Sequence, residues 1–198
     1  MNVLVLAPHA DDAEIGCGGT IARLSEEGHN ISCLIFTERK SGDFRSEINK
    51  ARDVLGIDEC TIFPNTVRRL GEKRQEVLDE MILARNRLCP DLVLMPSLND
   101  IHQDHAVVAR EGMRAFKECS ILGWDAPRNE FESSHNFYFP LALKHVERKV
   151  VAIRGYKSQL PRIQMEESVV ISLAKTRGAQ VGVEYAEAFT AYRYLWGC

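Results

Sequence analysis

Val3-Leu4-Val5-Leu6-Ala7-Pro8-His9-Ala10-Asp11-Asp12-Ala13-Glu14 is an apolar run that breaks off into a proline, an imidazole and paired carboxylates. The run Val3–Leu6 does not alternate, which predicts a strand buried on both faces, as in a parallel sheet with helices on either side. His9, Asp11 and Asp12 then stand just past the strand's carboxyl end. In open α/β sheets that is where ligands bind.

Outward from this stretch the same rhythm repeats. Ile31–Phe36 and Thr61–Phe63 read as strands two and three, and Asp91–Met95, bracketed by Pro90 and Pro96, as strand four. Between them, helical patterns cover Thr20–Glu27 closed by Gly28, Phe44–Leu55 closed by Gly56, Gly71–Leu88, and Ala106–Cys119. Past residue 120 the rhythm changes. Gly123–Asn129 reads as loop, His135–Phe139 as a strand, His145–Lys157 and Glu166–Thr176 as helices, and Val181–Ala191 fits either pattern.

The alternation predicts an α/β fold: a Rossmann-like, doubly wound, mainly parallel sheet with helices on both faces. At 198 residues and 45% hydrophobic content, one domain spanning 1–198 is expected, with its core in 1–120 and substrate-pocket and C-terminal elements in 121–198.

The 25 basic and 28 acidic residues are spread along the chain and give a net charge of -3. That balance argues against nucleic acid, a polybasic membrane patch or a polyanionic substrate, and leaves a small molecule as the expected partner. Nothing approaches the ~20 apolar residues of a membrane span, and the N-terminus lacks the charged region of a signal peptide. Cysteines at 17, 33, 60, 89, 119 and 198 form no C-x-x-C pair. They read as reduced thiols of a cytoplasmic protein. Whether copies associate as a homo-oligomer is not legible.

A second polar cluster, His102-Gln103-Asp104-His105, follows strand four. In a sheet of order 3-2-1-4-5, strands one and four are neighbours, so the two clusters are expected to meet in the crevice between their carboxyl ends. Catalytic zinc keeps three protein ligands and leaves one position open. His9, Asp12 and His105 are the expected ligands, with Zn2+ the expected ion and Fe2+ another candidate. Asp11 is then free to act as general base. A protonated His102 would stabilise an oxyanion and pass on a proton, and Asp104 would orient His102 or support a ligand histidine. Such a set suffices for amide hydrolysis. Gly16-Cys17-Gly18-Gly19-Thr20 is expected to form a turn bringing the first helix's amino end toward the site.

Blander readings compete. Asp11-Asp12 would cap the first helix and Asp104 the helix from Ala106. Cys17 reads as a packed thiol, and His29 and His145 as surface or structural residues, whereas His135 lies where it could reach substrate. Arg45, Arg68 and Arg69 read as solvated charges unless one contacts substrate. Two other functions are also open: a non-catalytic metal-binding protein, or an NAD-dependent oxidoreductase, since Gly16-x-Gly18 begins like a dinucleotide fingerprint. Ile21, however, occupies the third glycine's position, and nearby carboxylates would repel pyrophosphate.

Ala7 through Thr20 resembles the A-H-P-D-D-E-type opening motif of the LmbE-like, or PIG-L-like, zinc-dependent de-N-acetylases, and His102-Gln103-Asp104-His105 resembles their H-x-D-H motif. Weaker likenesses lie at Arg45-Ser46-Glu47 through Leu55-Gly56, at Lys149 through Lys157-Ser158-Gln159, and at Tyr185-Ala186-Glu187-Ala188-Phe189. The resemblance implies a hydrolase that removes acetyl from an N-acetylated amino sugar such as an N-acetylglucosaminyl conjugate. It also implies His9, Asp12 and His105 on zinc, Asp11 as base, His102 as acid or oxyanion partner, and Asp104 supporting His102. Phe63–Arg69 departs from the family's usual Asp-Gly loop after strand three, and Ala10 replaces the common proline.

Overall fold

The computed structural model describes residues 1–39, 43–132, 134–159 and 162–195; Cys198 lies outside the described residues. Its strands are β1 (Asn2–Ala7), β2 (Asn30–Ile35), β3 (Glu59–Ile62), β4 (Leu92–Pro96), β5 (Ser120–Trp124), β6 (Phe137–Leu141) and β7 (Tyr185–Arg193). The helices are α1 (Asp12–Glu26), α2 (Phe44–Leu55), α3 (Arg74–Leu88), α4 (Gln103–Ala115), α5 (Leu143–Arg154) and α6 (Glu167–Gln180).

All seven strands join one sheet in the order β3-β2-β1-β4-β5-β7-β6. The first five run parallel in the expected 3-2-1-4-5 arrangement, and β7 and β6 add an antiparallel edge. The central position of β1 explains its unbroken apolar run. Val3, Val5 and Ala7 enter one apolar cluster with residues of α1, α2 and α5, while Leu4 and Leu6 enter another with residues of α3 and α4. Successive strand side chains point to opposite faces, so a strand sandwiched by helices has no polar side to show.

Several boundaries differ from the sequence expectation. Helix α1 starts at Asp12, eight residues before Thr20, and Gly16, Gly18 and Gly19 lie inside it rather than in a turn. Their role is close approach: a Cβ at Gly16 would stand 2.5 Å from the Trp124 ring, and one at Gly19 2.5 Å from Leu141. The helix kinks at Cys17 (φ -143°, ψ 23°). Glu187 of β7 meets the amides beyond the kink, accepting from Gly19 N–H at 3.0 Å and Thr20 N–H at 2.6 Å, while Lys149 donates to it at 2.6 Å. The glycines expected to form a ligand-facing turn are thus helical and packed against side chains, with Gly16 also bordering the pocket.

Gly123 and Trp124 belong to buried β5, not to a loop; the loop begins at Asp125. The tail Val181–Ala191 resolves into β7 after a short turn, its antiparallel pairing with β5 and β6 supplying what local pattern could not. A 3-10 turn at Leu70–Lys73 precedes α3, and α4 runs from Gln103 to Ala115 rather than from Ala106 to Cys119. Helix α2 has the expected bounds and ends on Gly56 at φ 75°, the left-handed conformation that glycine adopts without penalty. No helix among the described residues is long and apolar enough to cross a membrane.

Candidate active site

β1 and β4 are hydrogen-bonded neighbours, so the turn carrying His9 and the segment leading into α4 face each other across the crevice. There Asp12 Oδ2 lies 3.0 Å from His9 Nδ1 and 3.1 Å from His105 Nε2, and the two nitrogens are 3.3 Å apart. Atoms this close can share one ion at the ~2.0–2.2 Å of zinc–nitrogen and zinc–oxygen bonds.

The outer partners fix which nitrogens face inward. His9 Nε2 sits 3.0 Å from Asp104 Oδ2, and His105 Nδ1 sits 2.6 Å from Asp100 Oδ2. Each carboxylate takes a ring N–H, so the opposite nitrogen of each ring faces Asp12 and is the one that would meet a cation on losing its proton. The donor set therefore fits a divalent cation. His102 also belongs to the cluster, its ligand atom lying within 4.8 Å of those of His9 and His105. Its Nδ1 accepts the Asp104 N–H at 3.2 Å, which leaves Nε2 as the atom it can turn toward the pocket.

Of the two partners open to Asp104, a ligand histidine or His102, the geometry selects the first. The carboxylate supports His9 rather than His102, and it further accepts the N–H groups of Arg68 at 2.5 Å and Leu70 at 3.2 Å. The residue capping α4 is His102, not Asp104. Asp11 occupies the cap position of α1, but its side chain makes no capping bond. Instead it meets Arg162 at 3.1 Å.

Residues 4–116 match the family described as PIG-L, GlcNAc-PI de-N-acetylase. The chain belongs to the PIG-L, or LmbE-like, family of deacetylases. Across 79% of its length it is 28% identical to an uncharacterised deacetylase, YaiS, of Escherichia coli K12, covering 91% of that protein. Across 94% it is 26% identical to diacetylchitobiose deacetylase of Thermococcus kodakarensis, covering 81% of it. The crystal structure of the conserved protein TT1542 from Thermus thermophilus shares the fold, with TM-score 0.83 at 22% identity over 100% of this chain and 99% of that one.

Electrostatics of this PIG-L site follow from burial and crowding. Burial alone would lower the His9 and His105 pKa values, yet Asp12's charge and hydrogen bonds to carboxylates raise them to about 9 and about 10. Asp12 is held well below the usual carboxylate range, its burial outweighed by the two imidazoles. Burial and the charge of Asp12 push Asp11 up, against the pull of Arg162. His102 is pushed down by burial and by the neighbouring histidines. With Nδ1 accepting from the Asp104 N–H, Nε2 is the nitrogen that carries the proton of the neutral ring. Glu14 is raised to about 8 by burial. The Tyr156 hydroxyl stands between two acceptors, the Ala10 carbonyl at 2.6 Å and Glu14 Oε1 at 2.9 Å, and its bond to Glu14 opposes the rise only in part.

The site opens into a pocket of about 650 Å³ at the carboxyl ends of the parallel strands, with Trp124, Ile163, Val170 and Leu173 on its apolar side. Arg45 and Arg69 pair with Glu38 and Glu72 away from that pocket, whereas Arg68 lines it. His135 lies 3.4 Å from Asp125, which is a wall residue. His29 meets the chain's amino terminus, and His145 holds Glu26 and the Ala142 N–H. Cys17 is a buried free thiol.

Asp100 and Arg162 were not singled out in the sequence. Asp100 lies past a strand end just as His9 does, four residues beyond Pro96, and the same positional rule applied to carboxylates would have found it. Arg162 carries no comparable signal, because only tertiary folding brings it to Asp11.

Proposed function

We propose that this chain is a metal-dependent N-deacetylase that hydrolyses the acetamide of an N-acetylated amino sugar, such as an N-acetylglucosaminyl conjugate, to acetate and a free amine. The observation carrying this reading is the close triangle of His9 Nδ1, Asp12 Oδ2 and His105 Nε2, with sides of 3.0 to 3.3 Å, beside Asp11, paired with Arg162, and the open Nε2 of His102. Family membership supports it.

His9, Asp12 and His105 would hold the ion, zinc foremost and Fe2+ the other candidate. A divalent ion there supplies Lewis acidity, lowering the pKa of water from 15.7 to about 7. Asp11 accepts the proton of the water that attacks the acyl carbon, its burial beside Asp12 raising its affinity for that proton. His102 offers Nε2–H to the acyl oxygen as negative charge develops there. Arg162 holds Asp11 in place. When the carbon–nitrogen bond breaks, Asp11 carries the proton that the departing amine needs. The substrate is a small molecule, residues 1–198 act as one domain, and the compartment is the cytoplasm, where free thiols such as Cys17 and Cys33 persist.

Metal analysis of the purified chain and acetate release from a panel of N-acetylglucosaminides test this reading. Asp11→Ala keeps the ion and loses ~10² to 10⁴ in turnover, whereas His105→Ala loses the ion. Metal-free protein with NAD affinity would favour the oxidoreductase alternative. Tightly held metal with no amide hydrolysed would favour a non-catalytic metal-binding protein.

A further inference from the structure

The pocket holds more positive charge than its own carboxylates neutralise. Arg39 follows β2, Arg68 follows β3 and Arg128 follows β5, and all three line the cavity whose floor is built by the loops after β1 and β4. The wall carboxylates are already engaged: Asp11 with Arg162 at 3.1 Å, Asp12 with both histidines, and Asp125 with Arg177 at 2.6 Å. Among the described residues Arg39 and Arg68 have no carboxylate partner, and Arg128 meets only the neutral Gln164 Oε1, at 3.3 Å.

Arg68 and Arg128 are exposed, as Arg45 and Arg69 are, and what sets them apart is their place on the pocket wall. Arg69, adjacent to Arg68 in sequence, pairs with Glu72, and Arg45 pairs with Glu38. Arg68 also adopts φ 68°, a left-handed conformation that side-chain-bearing residues disfavour. It is kept there by Asp104 Oδ2, which accepts its N–H at 2.5 Å, and by Gln103 Nε2, which donates to its carbonyl at 2.7 Å. An over-determined backbone outlier on a pocket wall marks a position that function constrains. With a net charge of -3 for the whole chain, the basic rim is local.

We propose that Arg68, with Arg39 on the same β2–β3 flank of the cavity and Arg128 on its β5 flank, draws in an anionic group, a phosphate or a carboxylate, on the part of the substrate that projects from the reacting acetamide. The substrate is then a negatively charged N-acetyl amino-sugar derivative; this rests on the deacetylase reading above. Guanidinium forks match both anions in paired hydrogen bonds. One such group also agrees with the absence of any polyanion signature. Asp104 sets the register, since a single oxygen, Oδ2, holds both the His9 ring and the Arg68 N–H.

The test measures affinity and kcat/KM of the zinc-loaded full chain for N-acetylglucosamine and N,N'-diacetylchitobiose, both neutral, against N-acetylglucosamine 6-phosphate and N-acetylglucosaminuronic acid, which carry phosphate and carboxylate at the same C6 position. We expect one charged sugar to bind about tenfold or more tighter than either neutral one, the gap narrowing as salt rises from ~0.05 M to ~0.3 M. Which charged sugar wins identifies phosphate or carboxylate. Arg68→Gln should cut the preference about tenfold, mainly through KM, with smaller losses in Arg39→Gln and Arg128→Gln, while Arg69→Gln leaves the ratio unchanged. Equal affinity for charged and neutral sugars, no binding of either charged sugar, or a preference that survives all three pocket variants overturns the proposal. Charged sugars bound selectively with no acetate released from any compound would sink the deacetylase reading and leave the anion site standing. Equal turnover of all four would do the reverse.

Discussion

Asp12 Oδ2 serves two imidazoles and its own loop at once, accepting also from the His9 N–H at 2.8 Å. Such a crowded oxygen works only if both rings are locked from behind. Asp104 and Asp100 do this, and both are buried. Asp100→Asn should therefore weaken metal affinity ~10- to 100-fold, the usual consequence of losing a carboxylate behind a ligand histidine. Competition with a chelator checks it, and an unchanged affinity would show that His105 is oriented by packing alone. The polar cluster itself was legible because His9, Asp11, Asp12, His102 and His105 all follow strand ends close in sequence. Arg162 was not, because 151 residues separate it from the carboxylate it meets. The direction in which Asp104 faces was equally hidden: a spacing can tell that a residue stands near a histidine, but not which of two histidines its side chain reaches.

At the scale of elements, α2 shows a case in which local rules suffice, an amphipathic pattern closed by Gly56. Helix α1 shows the opposite. Three glycines in four residues depress intrinsic helix propensity, and only packing against Trp124 and Leu141 reveals why they are tolerated. β5 was unreadable for a related reason, since Gly123-Trp124 looks like loop chemistry until a neighbouring strand buries it. The kink in α1 depends on Glu187, whose carboxylate is 6% exposed and faces Lys149. Glu187→Ala removes the acceptor of two amides and strands a buried ammonium, a combination expected to cost ~3–5 kcal/mol. Chemical denaturation measures it. A loss below ~1 kcal/mol, the scale of an exposed pair, would mean that water reaches the kink.

For the whole molecule, the buried titrating groups act together on stability. His9 and His105 rise from 6.5 to about 9 and about 10, so their protonation favours the fold fully below pH 6.5 and the contribution is lost as pH climbs through 9 and 10. Glu14, raised from 4.5 to about 8, works in the same direction over a lower window. Asp12, held below 3.8, contributes above that value and loses its contribution on acidification. Thermal unfolding of the metal-free protein should accordingly show Tm falling steadily from pH 6.5 to pH 10. Bound metal displaces the two imidazole protons, so the metal-loaded protein should show a shallower slope. Parallel slopes would indicate that the ion binds elsewhere. The double clasp of Asp104 has a historical corollary: a lineage that remodels the rim segment to admit a new guest also tilts the ring behind it. Changes in diet and changes in hold on the ion should therefore travel together among descendants of this scaffold.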